Sequence, residues 1–369
     1  MRYQKIAILG IGLIGGSLAR VWKSQRPSLQ IVGCDSVEVL HEARSMGIID
    51  EAFTDCRAAV AGADLVVLAT PVCSMDDLLS SIADHLEPGT TVTDVGSVKT
   101  STIRQARRVL PDTNVFIGGH PMAGSEHTGV KHADVFLFEN ATYVLCPPAG
   151  MPEAVFSERF QDLIDLVELT GAHILLLDSE RHDRIAAAVS HLPQLVAVSL
   201  MNIAAQSDTT DGAFLRLAAG GFRDMTRIAA SSFELWDDIL MSNEGYVVEA
   251  INALIKSLSE GKRRLQSGDM NHFLAEFSAA RAARRAIPRD MKGFLQPLAD
   301  AYVYGEDRPG FLHHLTKMLY EAGLNIKDIE LLKMREGSGG AFRLGFATDD
   351  DANAAVDTLN DNGYTAYRL

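Results

Sequence analysis

The chain has 369 residues, 47% of them apolar and 22% charged, with a formal net charge of −14. That length is too great for one ordinary core and suits two or three domains of a globular protein. The acidic balance argues against a nucleic-acid partner, whose phosphates need clustered Lys and Arg, but leaves room for a small anionic ligand met by a few local arginines. The cysteines Cys34, Cys56, Cys73 and Cys146 show no CxxC or metal-like spacing and read as idle thiols of a reducing compartment. The N-terminal MRYQKIAILGIG reads as a strand cut by glycines, not as a signal peptide. No run approaches the roughly 20 uninterrupted apolar residues of a membrane span, so a cytoplasmic protein without membrane contact is expected.

Over residues 1–172, short apolar runs alternate with helical patterns. Lys5–Gly10, Gln30–Asp35, Asp64–Thr70, Thr90–Val95, Asn114–Gly118 and Thr142–Cys146 are predicted strands. Such alternation implies an α/β domain, a doubly wound and mostly parallel sheet covered on both faces. From about Asp178 to Ser267 the strand signals vanish, and Ala, Leu, Met and Ile dominate, with breaks at Pro193 and Gly220-Gly221. Residues 173–296 are therefore expected to form an all-helical domain. Several of its segments are apolar on more than one face, which points to a homodimer. Its end, Ser278–Gln296, is arginine-rich and reads as a polar linker. In residues 297–369 the pattern restarts as strand Ala299–Tyr304, a helix to about Ala322, strands Asn325–Lys333 and Ala341–Thr348, a helix near Ala352–Asn362 and strand Tyr364–Arg368. That βαββαβ order is the ferredoxin-like arrangement.

Gly10, Gly12 and Gly15 spell GxGxxG directly after the first strand and before a helix through Leu13 and Ile14. In that setting the glycines give a tight turn, backbone access for a pyrophosphate and close helix packing, and the helix N-terminus faces the phosphates. Asp35 ends the second strand about 20 residues on, where a carboxylate binds a ribose 2′-hydroxyl and repels a 2′-phosphate. NAD is thus the expected cofactor. Thr70 and Pro71 end another strand at the sheet edge where its second half should lie.

Two stretches follow past strand ends, VTDVGSVKTS (92–101) and IGGHPMAGSEHTG (117–129). His120 lies there in a predicted loop. It is either a base for a hydroxyl proton, as neutral imidazole suits at pH 7, or a loop histidine satisfied by backbone. Ser97 is placed to hold the ring's other nitrogen. His191, two residues before Pro193, either points into a cleft or is a satisfied core histidine. Arg223 and Arg227, four apart beside a glycine pair, suit a dicarboxylate or form a solvated basic face. Trp236 is core or pocket wall. Arg181, His182 and Asp183 fall at a helix start, where they read as capping and solvated. The histidines lack HxxxH or HExxH spacing and no acidic cluster has a calcium-loop pattern, so no metal site is expected.

Together GIGLIGGS, TDVGSVK, GGHPMAGSE, SHLPQ and GGFRDMTRIA resemble the prephenate dehydrogenase family, including its arogenate-using relatives, in the family's order and over essentially the whole chain. DRPGFLHHLTKML followed by EAGLNIKDIE resembles an ACT domain, a module that binds amino acids. The resemblance implies a nucleotide-binding Rossmann domain, a helical dimerisation domain and an ACT regulatory domain. It implies NAD-dependent oxidative decarboxylation of prephenate to 4-hydroxyphenylpyruvate, on the way to tyrosine. By motif, His120 would be the catalytic hydrogen-bond acceptor and Ser97 its orienting partner. Ser125, His191, Arg223, Arg227 and Trp236 would contact the substrate, with Arg227 on the ring carboxylate. Tyrosine would act as effector through Asp307, Pro309, Gly310, Asn325 and Ile326. Three alternatives are arogenate as substrate, a β-hydroxyacid dehydrogenase, and a non-catalytic NAD and amino-acid sensor. The absence of lysine from residues 182–206 counts against the second, and intact His120, Ser97 and Arg227 count against the third.

Overall fold

The computed structural model of the chain describes residues 3–124, 127–207, 212–286, 298–306, 308–335 and 339–368. Ser125 and Asp307, two of the expected site residues, lie outside them. The chain divides into two compact units, residues 1–281 and 282–369.

The first unit is built on an eight-stranded sheet: β1 (Lys5–Leu9), β2 (Gln30–Cys34), β3 (Glu51–Phe53), β4 (Leu65–Leu68), β5 (Thr91–Asp94), β6 (Val115–Pro121), β7 (Thr142–Cys146) and β8 (His173–Leu176). Their order is β3-β2-β1-β4-β5-β6-β7-β8, and every pair is parallel except β6 with β7. The chain crosses β1 from one half of the sheet to the other, and the carboxyl ends of β1 and β4 flank that switch point, where α/β sheets bind ligands. The central strands are buried on both faces. Ile6 and Ile8 of β1 join Leu18, Trp22 and Ile31 in one core, whereas Ala7 and Leu9 join Val32, Val66, Leu68 and Leu79 in the other. This explains why they read as continuous apolar runs.

Strands β3 and β8 were not predicted, since each is only a few residues long and neither is buried. Because β8 pairs with β7 (Leu145 opposite Leu176), the nucleotide domain runs past the expected boundary at residue 172. The expectation of four idle thiols is also corrected. Cys34, at the end of β2, is disulfide-bonded to Cys56, which opens the helix Cys56–Ala59, and their Cα atoms are 5.6 Å apart. Cys73 and Cys146 are free. Residues 22 apart in sequence meet here because β2 and the helix lie side by side.

Beyond β8 the unit is helical. Pro193 does not end a helix as expected. A π turn over Ala187–His191 joins the helices Ser179–Ala186 and Leu192–Ser207 into one rod, and the wider turn accommodates the missing proline N–H. By length and composition Ser179–Ser207 is apolar enough to cross a membrane, which the sequence reading had not anticipated. Its polar residues His182, Asp183, His191 and Gln194 are nevertheless buried inside the protein. The long helices Glu244–Ser267 and Met270–Ala286 follow, so the first part of the predicted linker is helix; Pro288 and its neighbours fall outside the described residues. Several large apolar residues of this region, among them Leu217, Ile255, Leu258 and Leu265, are exposed.

The second unit contains β9 (Ala299–Gly305), β10 (Asp328–Arg335), β11 (Gly339–Phe346) and β12 (Thr365–Tyr367), with helices Phe311–Glu321 and Asp349–Asp361 between them. The order β10-β11-β9-β12 is antiparallel throughout and agrees with the expected βαββαβ arrangement. Val303, Leu315, Leu344, Phe346 and Leu359 form its own core.

Candidate active site

The glycine turn fits a dinucleotide. Gly10 has φ of 99°, and a Cβ there would lie 2.5 Å from the Ala69 carbonyl oxygen, so only glycine allows β1 to pass this close to the end of β4. At Gly12 a Cβ would meet nothing within 4 Å, which leaves open space where a pyrophosphate approaches. Gly12 starts the helix Leu13–Gln25 (through Ile14 and Gly15) without a side-chain cap, so the first-turn N–H groups are available to an anion. Asp35 is fixed at the tip of β2: its Oδ2 accepts from Ile11 N–H and its Oδ1 from Ser36 N–H, each at 2.7 Å. Across the switch point, Thr70 Oγ1 is buried without a hydrogen-bond partner in the protein, and Pro71 starts the helix Val72–Ile82. An orphaned hydroxyl at that edge suits a polar ligand.

His120 lies on β6, opposite Val144 of β7, and not in the loop expected for it. A buried network holds this part of the strand. Asp94 and Lys99, both wholly buried, form an ion pair across the β5 end. Lys99 Nζ also donates to the Gly119 carbonyl at 2.7 Å, while Gly119 N–H donates to Asp94 Oδ1 at 3.0 Å. A Cβ on Gly119 would approach the Asp94 carbonyl oxygen to 2.4 Å, so the residue before His120 must be small.

The ring nitrogen expected to face Ser97 has a different partner. His120 Nδ1 lies 2.8 Å from His182 Nε2, and His182 Nδ1 lies 2.8 Å from Asp183 Oδ1. His182 and Asp183 are thus not solvated caps. Both are buried, and the cap of their helix is Asp178, which accepts from Arg181 N–H at 2.9 Å. Asp183 reaches back to the first domain, where its two oxygens accept the Lys99 and Thr100 N–H groups at 2.8 Å each. It therefore caps the helix Thr100–Val109 from a distance. Burial raises the Asp183 pKa, but hydrogen bonds from His182, Thr100 and Lys99 outweigh that and hold the carboxyl below its ordinary range. His120 is pushed well below the usual imidazole range, first by burial and then by His182, Lys99 and His191. It is neutral at physiological pH.

His191 is also buried, and burial lowers its pKa to about 4. Its Nδ1 lies 3.2 Å from Asn243 Nδ2, which also donates to the Asp183 carbonyl at 2.8 Å. Trp236 meets His191 edge-on at 6.1 Å between ring centroids, and its Nε1 is buried without a protein partner. Gln194, one turn beyond His191, donates to the Ile228 carbonyl at 3.0 Å and leaves its Oε1 unpartnered. That bond ties the Arg227–Ala230 turn to the His191 helix. Arg223 and Arg227 are both exposed, and Arg227 opens a 3₁₀ turn directly after the helix Gly220–Thr226. Sequence reasoning missed Asp94, Lys99, His182, Asp183, Gln194 and Asn243. Asp94 and Lys99 lay inside the quoted TDVGSVK motif, whereas nothing in the spacing of His182 ties it to His120. Among the described residues no group of three or more His, Cys, Asp and Glu could hold a metal. In the second unit Pro309 and Gly310 are exposed just before the helix Phe311–Glu321, Asn325 is exposed in the loop before β10 and not in the strand expected for it, and Ile326 packs on that unit's core.

A glycine-turn nucleotide sheet beside a buried, neutral imidazole defines a nicotinamide-dependent dehydrogenase. Residues 18–176 match the family described as "Prephenate dehydrogenase, nucleotide-binding domain", and residues 178–279 that described as "Prephenate dehydrogenase, dimerization domain". Prephenate dehydrogenase of Bacillus subtilis is 35% identical over 352 residues, 95% of this chain and 94% of that protein. The crystal structure of prephenate dehydrogenase from A. aeolicus in complex with hydroxyphenyl propionate and NAD+ is 29% identical, with a TM-score of 0.71 over 78% of this chain and 99% of that one. Synechocystis arogenate dehydrogenase is also 29% identical, with a TM-score of 0.65 over 76% of this chain and 99% of its own. The chain belongs to the prephenate dehydrogenase family and is an NAD-dependent oxidoreductase acting on prephenate. The family matches end at residue 279, so they do not extend to the second unit.

Proposed function

We propose that the chain converts prephenate to 4-hydroxyphenylpyruvate and CO2 with His120 as the acceptor of the ring hydroxyl's hydrogen bond. The supporting observation is a neutral, buried His120 near the carboxyl end of β6, in the same sheet as the glycine turn that follows β1. Bound NAD+ supplies the hydride acceptor. Gly10, Gly12, Leu13, Ile14 and Gly15 would hold its pyrophosphate, Asp35 its ribose, and Thr70 and Pro71 its further half. As hydride leaves the carbon bearing the hydroxyl, that O–H becomes more acidic, and His120 draws on its proton. The product is a phenol, so the proton returns to the same oxygen once the ring carboxylate has left as CO2 and the ring is aromatic. His120 therefore need not exchange a proton with solvent in each turnover.

Arg227 would bind the ring carboxylate, with Arg223 lining the pocket. Its grip must relax as CO2 departs, so its contribution is to binding and orientation. His191 and Trp236 would line the pocket, and the orphaned Trp236 Nε1 suits a ligand oxygen. The exposed apolar residues of the helical domain support a homodimer. The second unit would be an ACT domain that binds tyrosine near Pro309, Gly310, Asn325 and Ile326, and would make a cytoplasmic enzyme subject to feedback.

Nicotinamide reduction measured with NAD+ and prephenate, beside arogenate and with tyrosine added, tests this reading. Fast turnover of prephenate, suppressed by tyrosine, is expected. Turnover with arogenate alone would change the substrate and leave the chemistry standing. No turnover with either would overturn the reading.

A further inference from the structure

The reading of His120 as acceptor requires one of its ring nitrogens to carry a lone pair at the right moment. A neutral imidazole has one N–H and one lone pair, and its neighbours decide which is which. On β6 the backbone fixes the ring's origin but not this choice. The choice comes from the other domain.

We propose that His182, held by Asp183, sets the tautomer of His120, keeping the proton on Nδ1 and leaving Nε2 as the lone pair that meets the substrate hydroxyl. This role for His182 rests on His120 being the acceptor proposed above, and it begins at the carboxylate. Asp183 takes two helix N–H groups, from Lys99 and Thr100, so it is ionised and can only accept. The group opposite its Oδ1 is His182 Nδ1 at 2.8 Å, which must therefore carry the hydrogen. With a single ring hydrogen, on Nδ1, His182 presents Nε2 as a lone pair. That atom lies 2.8 Å from His120 Nδ1, which must in turn carry the hydrogen of the bond between the rings. Only Nε2 of His120 is left to accept. Two lone pairs or two hydrogens cannot face each other at these distances, so a singly protonated His182 leaves only this arrangement, whereas a doubly protonated one would donate to His120 Nδ1 and reverse it.

His182 is a positioning residue in this scheme. It takes no proton, since the hydroxyl proton goes to His120 Nε2 and returns to the phenol oxygen while Nδ1–H stays bonded to His182. Imidazolium character on His120 during the reaction strengthens that bond, and the Asp183 carboxylate stabilises the pair. The arrangement also joins the two domains. Asp183 is bonded to the N-terminus of Thr100–Val109, so His182 stands in a fixed place relative to β5 and β6 only while the helical domain is docked.

The test compares His182→Leu and His182→Gln with His120→Asn in the full-length enzyme. Leucine fills the space but offers no lone pair; glutamine offers its amide oxygen near the position of Nε2. The readouts are kcat, KM for NAD+ and for prephenate, and 15N NMR of the histidine rings. We expect His182→Leu to lose about 10²–10⁴-fold in kcat, comparable to loss of a base or of a tautomer-setting partner. KM for NAD+ should stay near that of the parent, and His182→Gln should recover most of the rate. In the parent protein the His120 ring should show its hydrogen on Nδ1, and in His182→Leu a mixture or the reverse. A His182→Leu enzyme with full kcat beside an inactive His120→Asn would overturn the role of His182 alone, as would a glutamine variant as slow as the leucine one. An active His120→Asn would instead remove His120 from the mechanism, and this inference with it. Should the leucine variant not fold, the parent spectrum decides, and a hydrogen on His120 Nε2 would sink the proposal.

Discussion

At the scale of single residues, the site depends on keeping imidazoles neutral inside the protein. Burial lowers the pKa of His120 and of His191, the latter to about 4. A depressed folded-state value means that the unfolded chain binds protons first as pH falls. The stability from these two groups is therefore complete above about pH 6.5 and is lost as pH drops from there towards their folded values. For the same reason the acid limb of the kcat/KM profile should lie below 6.5, where a free imidazole would already have titrated; a limb at or above 6.5 would show that the titrating group is another one. His120→Asn should bind NAD with near-normal affinity, measured by fluorescence titration, yet lose about 10²–10⁴-fold in kcat. The wholly buried Asp94–Lys99 pair makes a different prediction. Lys99→Met strands a buried carboxylate, and denaturant unfolding should show a loss of about 3–5 kcal/mol.

At the scale of elements, the first turn and the end of β6 are places where backbones come closer than any side chain permits. Gly10→Ala requires a strained φ of 99° and a 2.5 Å approach to the Ala69 carbonyl, so β1 and β4 must separate at their carboxyl ends. The expected result is weaker NAD binding together with a stability loss of about 1–3 kcal/mol, and unchanged affinity would remove the turn from the cofactor site. The GxGxxG spacing made this turn legible because a tight turn and a close approach each demand glycine. Gly119 was less legible, since its neighbour is a carbonyl on a strand 25 residues away. Strand β8 escaped prediction because four half-exposed residues carry no clear period. Pro193 misled for a related reason: a proline usually interrupts a helix, and only the packed π turn before it shows the rod continuing.

At the scale of the whole molecule, two units of different character share one chain. The first holds the nucleotide sheet and the helices that complete the site, and the second has its own four-stranded sheet and core. If the second unit is the sensor, removing residues 298–369 should leave turnover of prephenate intact and abolish its suppression by tyrosine. Retained suppression would place the effector in the active site itself. The exposed apolar residues on the helices beyond Ser207 should be covered in solution, so sedimentation should report a dimer at micromolar concentration.

The sequence by itself determined the parts that repeat a local physical demand. Alternating strands and helices, the glycine turn with Asp35, the loss of strand signals after Asp178 and the βαββαβ order of the last unit all follow from periodicity and turn chemistry within short windows. What only the tertiary structure decided is who faces whom. His182 and Asp183 read as a helix start because a helix start is what they locally are, and Asp178 next to them is an ordinary cap. Their burial, their bond to the helix at Thr100 and their place behind His120 arise from one domain folding against another, 62 residues apart for the two rings. The disulfide between Cys34 and Cys56 is of the same kind. Spacing along the chain carries no record of such meetings, since they depend on how faces pack and not on which residues are neighbours in sequence.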